Sequence, residues 1–209
     1  MSQPWVLASR NAGKLRELRG LFSTFAIDVV DLCEAGVAED VVAEADIESF
    51  ETFEANALAK ARYFSARLPG RIVVADDSGL EVEALGGAPG VRSKRWSAAT
   101  HLHGPALEAE NNRMLVAAMV GQRNRRARFV CAAACSDGAV EFVERGEVAG
   151  QVLDAPLGSH GFGYDAHVFV GELGRTMAEA TLAEKEMVSH RGRAFMALLV
   201  ALRDHGLTA

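Results

Sequence analysis

Only three of the 209 residues are cysteine, acidic residues outnumber basic ones, and long apolar runs are missing. Each shortage removes a class of protein. Cys33, Cys131 and Cys135 are too few, and odd in number, for a disulfide framework. Cys131 and Cys135 lie in a stretch from Arg128 to Cys135 that reads as a buried strand, and no further ligands stand at zinc spacing. Both are therefore expected as small buried hydrophobes. No apolar stretch approaches the roughly 20 residues of a membrane-spanning helix. Met1-Ser2-Gln3-Pro4-Trp5 lacks the basic-then-apolar order of a secretory signal, so a cytoplasmic protein with no membrane partner is the expectation. Lys and Arg number 22 against 28 Asp and Glu, a net charge of −6. That weighs against a nucleic-acid partner but leaves room for a small anion in a local basic pocket. Internal repeats, low-complexity tracts, interdomain linkers and the Walker A pattern are all missing too.

What is present is a chain with 49% hydrophobic residues, enough for one well-cored domain or for two lobes around a cleft. Trp5–Ser9 reads as a buried strand, followed by a Gly-containing turn and a helix marked by Leu15, Leu18, Leu21 and Phe22. Ile27–Leu32 reads as a second strand, and the acidic stretch Val37–Ser49 as irregular. From about Phe50 to Leu68, Phe53, Ala57, Ala61 and Phe64 share one helical face, and Pro69-Gly70 stops it. Arg71–Ala75 is a β-branched strand that is expected to end where Asp76-Asp77-Ser78-Gly79 begins. A helix around Leu107–Met119, a hairpin turning at Asp137-Gly138, and a strand at His167–Val170 follow. Thr181-Leu182-Ala183-Glu184 has the form of a capping box, and Ser189 is expected to cap a last helix carrying Phe195, Leu198, Leu199 and Leu202. Alternating helices and strands with a central meander predict an α/β fold with a mixed sheet and flanking helices.

Four segments carry chemistry. Ser9-Arg10-Asn11-Ala12-Gly13-Lys14 joins a strand to a helix start, where backbone N–H groups and a lysine favour phosphate; taken alone it reads first as an ordinary turn with a surface lysine. Ala75-Asp76-Asp77-Ser78-Gly79 offers paired carboxylates, whose hard oxygens suit Mg²⁺ and can activate water, or else a capped strand end. Gly161-Phe162-Gly163-Tyr164-Asp165 sets aromatics on a glycine loop, where a ring can stack on a nucleobase or anchor the loop in the core. Lys185, His190 and Arg191 bring three basic groups together near the start of the last helix. Glu44, Asp46, Glu48, Glu51 and Glu54 offer a further metal ligand without singling one out. Together these form the inventory of a metal-assisted nucleotide hydrolase.

With these segments in this order, the chain from Leu7 to about Leu202 resembles the inosine triphosphate pyrophosphatase family. The resemblance implies a two-lobed α/β fold with a central cleft, a twisted mixed sheet and a single domain over residues 1–209, commonly as a homodimer. It implies hydrolysis of purine nucleoside triphosphates such as ITP, dITP and XTP to the monophosphate and pyrophosphate, with Mg²⁺ as cofactor. By position it implies that Ser9, Arg10, Asn11, Ala12, Gly13 and Lys14 hold the triphosphate, and that Asp77 binds the metal and acts as general base beside Ser78. Phe162, Gly163, Tyr164, Asp165, Lys185, His190 and Arg191 would line the nucleotide site, with Phe162 stacking on the base and His190 and Arg191 facing its O6. Counting back from Thr52-Phe53 selects Glu48 as the second metal ligand. Phe50 stands where the family has glycine, and Ala166 where it often has proline. A different preferred base, or a sensor that binds nucleotide without turnover, are the alternatives.

Overall fold

A computed structural model describes residues 3–206. Its strands are β1 (Trp5–Leu7), β2 (Val29–Asp31), β3 (Val73–Val82), β4 (Arg126–Ser136), β5 (Glu141–Val152), β6 (Val168–Val170) and β7 (Arg175–Thr176). The helices are α1 (Ala12–Thr24), α2 (Val41–Ala45), α3 (Phe53–Ser65), α4 (Gly104–Ala118), α5 (Leu182–Val188) and α6 (His190–Asp204). The strands hydrogen-bond in the order β2-β1-β3-β4-β5-β6-β7. β1 runs parallel to β2 and β3, whereas β5–β6 and β6–β7 are antiparallel. The fold is thus α/β with a mixed sheet, as expected.

The chain divides into two compact units. The first comprises residues up to Asp77, Cys131–Gly146 and residues from His190; the second comprises Ser78–Val130 and Glu147–Ser189. In the first, Leu7, Leu18, Leu21, Phe22, Val74, Phe195, Leu198 and Leu202 build the core, with Cys131 and Cys135 buried among them as expected. Trp5 meets Phe22 edge-on at 5.8 Å between ring centroids, and Phe22 meets Phe195 at 5.7 Å, so α1 and α6 lock on one aromatic series. Burying each such side chain contributes about 1.5–3 kcal/mol. α1 begins where Asn11 Oδ1 accepts the Lys14 N–H, and α3 where Thr52 Oγ1 accepts that of Ala55. The turn after β4 forms because Asp137 Oδ1 accepts the N–H groups of Ala139 and Val140, while Gly138 takes φ +93°.

The second unit packs Leu80, Val82, Leu115, Met119, Phe129, Val148, Val168, Val170 and Met177 together. α5 starts at the capping box read from sequence, the Thr181 and Glu184 side chains each serving the other's backbone N–H. Ser189 is the single extended residue between α5 and α6.

Two expectations change. β3 does not end at Ala75 but continues to Val82, so both aspartates lie inside a strand. Aspartate is a poor strand former, and burial among cations and amides overrides that preference here. Within Val37–Ser49, expected as irregular, α2 forms because Asp40 caps it and Arg10 clamps Glu44 at 2.8 and 2.7 Å.

Candidate active site

The site in the first unit is built on β3. Successive strand residues face opposite sides, so the adjacent aspartates acquire different surroundings. Asp76 is fully buried and meets Lys14 of α1 at 3.0 Å, Arg191 of α6 at 3.2 Å and the Cys131 thiol of β4 at 3.9 Å. Burial disfavours its charge, but Lys14, Arg191 and Lys60 outweigh burial and hold its carboxyl well below the usual carboxylate range. Arg191 also binds Glu17 at 2.5 Å and is itself almost wholly buried. Asp76 therefore belongs to a buried ion cluster that fastens β3 to α1 and α6.

Asp77 has the opposite electrostatics. Burial and then the charge of Glu48 raise its affinity for a proton, against Lys14, Lys60 and a hydrogen bond from Asn56. Asn56 Nδ2 donates to Asp77 Oδ2 at 2.9 Å. Lys60, one turn further along α3, donates to the Glu48 carboxylate and to the Asp76 backbone carbonyl. Glu48 is held below its ordinary range, because Lys60 and Lys14 outweigh its burial.

Asp77 and Glu48 thus present two mutually repelling carboxylates beside two lysines. No group of three or more His, Cys, Asp or Glu side chains placed to hold a metal occurs among the described residues. Two hard-oxygen ligands nevertheless suit a divalent cation that takes its remaining ligands from water and phosphate, and a cation there would relieve the repulsion that raises Asp77. The residues present fit such an ion.

The remaining residues read from sequence fall as follows. Ser9 is buried, and its Oγ accepts the Asn11 N–H at 3.2 Å. Asn11 is the cap of α1, and Ala12, Gly13 and Lys14 form its first turn. Arg10 points to Glu44 and to the carbonyl of Ala38, so it braces α2. Arg191, expected to face a base, has its guanidinium engaged by Asp76 and Glu17. His190 is buried at the first position of α6.

Ser78 and the glycine loop lie in the second unit. There Lys185 Nζ donates to Asp165 Oδ2 at 2.6 Å, and the Phe162 N–H donates to the same oxygen at 3.2 Å. Gly161 takes φ +88°, a conformation that favours glycine, and an added Cβ would also crowd that oxygen at 2.1 Å and Lys185 Nζ at 2.5 Å. On α4, Glu108 accepts the Gly163 N–H and Asn112 donates to the Gly163 carbonyl, each at 2.9 Å. Tyr164 is a core residue whose hydroxyl donates to the Ser93 carbonyl at 2.8 Å.

Three residues went unnoticed in the sequence: Glu17, Asn56 and Lys60. A signal existed for two of them. Positions 53, 56, 57, 60, 61 and 64 form one helical stripe, so Asn56 and Lys60 interrupt the apolar face of α3.

Fold and side chains together define an α/β enzyme built around a carboxylate–lysine centre. The chain belongs to the Ham1 family, whose sequence model matches residues 5–201. It is 48% identical over 202 residues to a dITP/XTP pyrophosphatase of Burkholderia pseudomallei, spanning 95% of this chain and 93% of that one. To the dITP/XTP pyrophosphatase of Caldanaerobacter subterraneus it is 38% identical, covering 92% of each. Among solved structures, the Staphylococcus aureus Ham1 protein superposes with a TM-score of 0.79 at 33% identity, covering 97% of this chain and 100% of that one. A nucleoside-triphosphatase / dITP/XTP pyrophosphatase from Mycobacterium abscessus gives 0.67 at 39% identity, covering 94% and 99%. The resemblance drawn from the four segments is borne out.

Proposed function

We propose that this protein hydrolyses the aberrant purine nucleoside triphosphates ITP, dITP and XTP to the monophosphate and pyrophosphate, removing them from the nucleotide pool. The observation that carries this reading is the buried Asp77, paired with Glu48 and flanked by Lys14 and Lys60, in a chain so close to dITP/XTP pyrophosphatases. Mg²⁺ is the cofactor, held by Asp77 and Glu48; when bound it neutralises phosphate oxygens. Asp77, with its raised proton affinity, takes the proton from the water that attacks the α-phosphorus. Lys14 has three N–H donors, of which Asp76 engages one, and it offers the others to the triphosphate with the first turn of α1. Ser9 to Gly13 shape that turn, with Arg10 acting through its brace on α2.

In the second unit, Phe162 stacks on the base, with Ser78, Gly163, Tyr164, Asp165 and Lys185 as nucleotide contacts or their supports. His190 donates to the 6-oxo group, and Arg191 keeps Asp76 in place. An adenine 6-amino group would leave such a donor unmatched, which disfavours ATP. The enzyme acts in the cytoplasm as a homodimer. Purified protein with Mg²⁺ should release pyrophosphate from ITP, dITP and XTP much faster than from ATP or GTP. Equal rates on all five would sink the selectivity, and tight ITP binding without turnover would make the protein a sensor.

A further inference from the structure

Behind the proposed base stands one further buried polar residue. Asn56 is almost completely buried. Its amide makes three hydrogen bonds. Oδ1 accepts the backbone N–H of Phe50 at 2.8 Å, while Nδ2 donates to the Phe50 carbonyl at 3.2 Å and to Asp77 Oδ2 at 2.9 Å. The orientation is determined by the chemistry. The Phe50 N–H requires the amide oxygen on its side, which turns the NH₂ toward Asp77. An NH₂ group only donates, so the Asp77 oxygen it meets is held as an acceptor.

Phe50 lies two residues beyond Glu48. A single side chain therefore holds Asp77 directly and clamps both backbone groups of the segment that carries Glu48. Lys60, a turn later on α3, holds the Glu48 carboxylate itself. Two carboxylates that repel each other drift apart unless something fixes them, and a helix is a rigid frame for doing so.

We propose that Asn56 is a positioning residue: it sets the spacing of Asp77 and Glu48 by binding the Asp77 carboxylate and the Phe50 backbone at once. This rests on the reading of Asp77 and Glu48 as the metal carboxylates. Removing Asn56 forfeits a hydrogen bond to a charged group and frees the Glu48 segment, with a loss of about 10- to 100-fold in metal affinity.

The test compares Asn56→Ala and Asn56→Ser with the parent protein and with Asp77→Asn. Ser keeps a hydroxyl at the buried position but ends one atom short of both Phe50 and Asp77, and it serves if the alanine variant does not fold. Mn²⁺ binding to nucleotide-free protein is measured by electron paramagnetic resonance, and kcat and KM for ITP by pyrophosphate release. The expected result is a Mn²⁺ Kd raised about 10- to 100-fold and a kcat lowered with it, while KM for ITP at saturating metal changes less than about threefold. A residue that merely stabilised α3 would lower the melting temperature and leave the Mn²⁺ Kd of the folded fraction unchanged, and that result overturns the proposal. If Asp77→Asn binds Mn²⁺ like the parent, the metal reading itself fails. If Asp77→Asn loses Mn²⁺ and the Asn56 variants do not, Asn56 has no positioning role.

Discussion

The neighbouring aspartates should respond in opposite directions to the same substitution. Asp76→Asn removes the carboxylate that Lys14, Arg191 and Lys60 surround, leaving buried cations without their partner. Breaking a buried pair from one side costs about 3–5 kcal/mol. Arg191 retains Glu17 and Lys60 retains Glu48, which places the loss near the lower end. A loss of about 3 kcal/mol lowers Tm by about 6–12 °C in a chain of this size. Asp77→Asn instead removes a charge that burial and Glu48 both oppose, and the new amide oxygen still accepts from Asn56. Its Tm should be unchanged or higher by up to about 4 °C, while turnover falls at least about 100-fold through loss of the base. The pH dependence separates the two further. Asp76 is depressed on folding, so its stabilising contribution is complete above its ordinary value of 3.8 and is lost as pH falls toward its lower folded value. Asp77 is raised, so the folded state is favoured by its protonated form and loses that advantage as pH rises through the raised value. Thermal unfolding without added metal, at pH 7 and again below pH 4, is the assay. The Asp76→Asn deficit should narrow in acid. Equal Tm losses for both variants at pH 7 would refute the division of roles.

At Gly146 on β5, an added Cβ would fall 2.3 Å from the His190 carbonyl oxygen and 2.4 Å from the Ala194 nitrogen, both backbone atoms. Gly146→Ala should accordingly lower stability by about 1–3 kcal/mol, read from denaturant midpoints. Thiol titration of the native protein should label Cys33 alone, because Cys131 and Cys135 are buried and burial pushes the Cys135 thiol up to about 12; all three should react in denaturant. Phe162→Ala should raise KM for ITP by about 5- to 150-fold, the range of one base–aromatic stack, with a smaller change in kcat; an unchanged KM would remove the ring from the base site.

Much of the architecture was legible because apolar periodicity was strong where burial was deep. Phe53, Ala57, Ala61 and Phe64 marked α3, and Phe195, Leu198 and Leu202 marked α6. α2 escaped because five residues carry no detectable period, and of its two anchors, the Asp40 cap and Arg10, the second is more than thirty residues away. The run of β3 through two aspartates escaped for a related reason: their partners come from α1, α3 and α6, which local preference does not see. The resemblance gave the metal and base role to Asp77 and not to its neighbour, and strand alternation is the physical reason two adjacent aspartates have different surroundings. The engagement of Arg191 by Glu17 was not legible, because the two are 174 positions apart.

That separation bears on how the chain folds. Arg191 joins Glu17 and Asp76, and Phe195 closes on Phe22, across more than a hundred intervening residues. Contacts this distant in sequence are closed late and slowly. The final helix therefore supplies the last partners of the buried Asp76 cluster and of the Phe22 core, whereas Asp77 and Glu48 take theirs from α3.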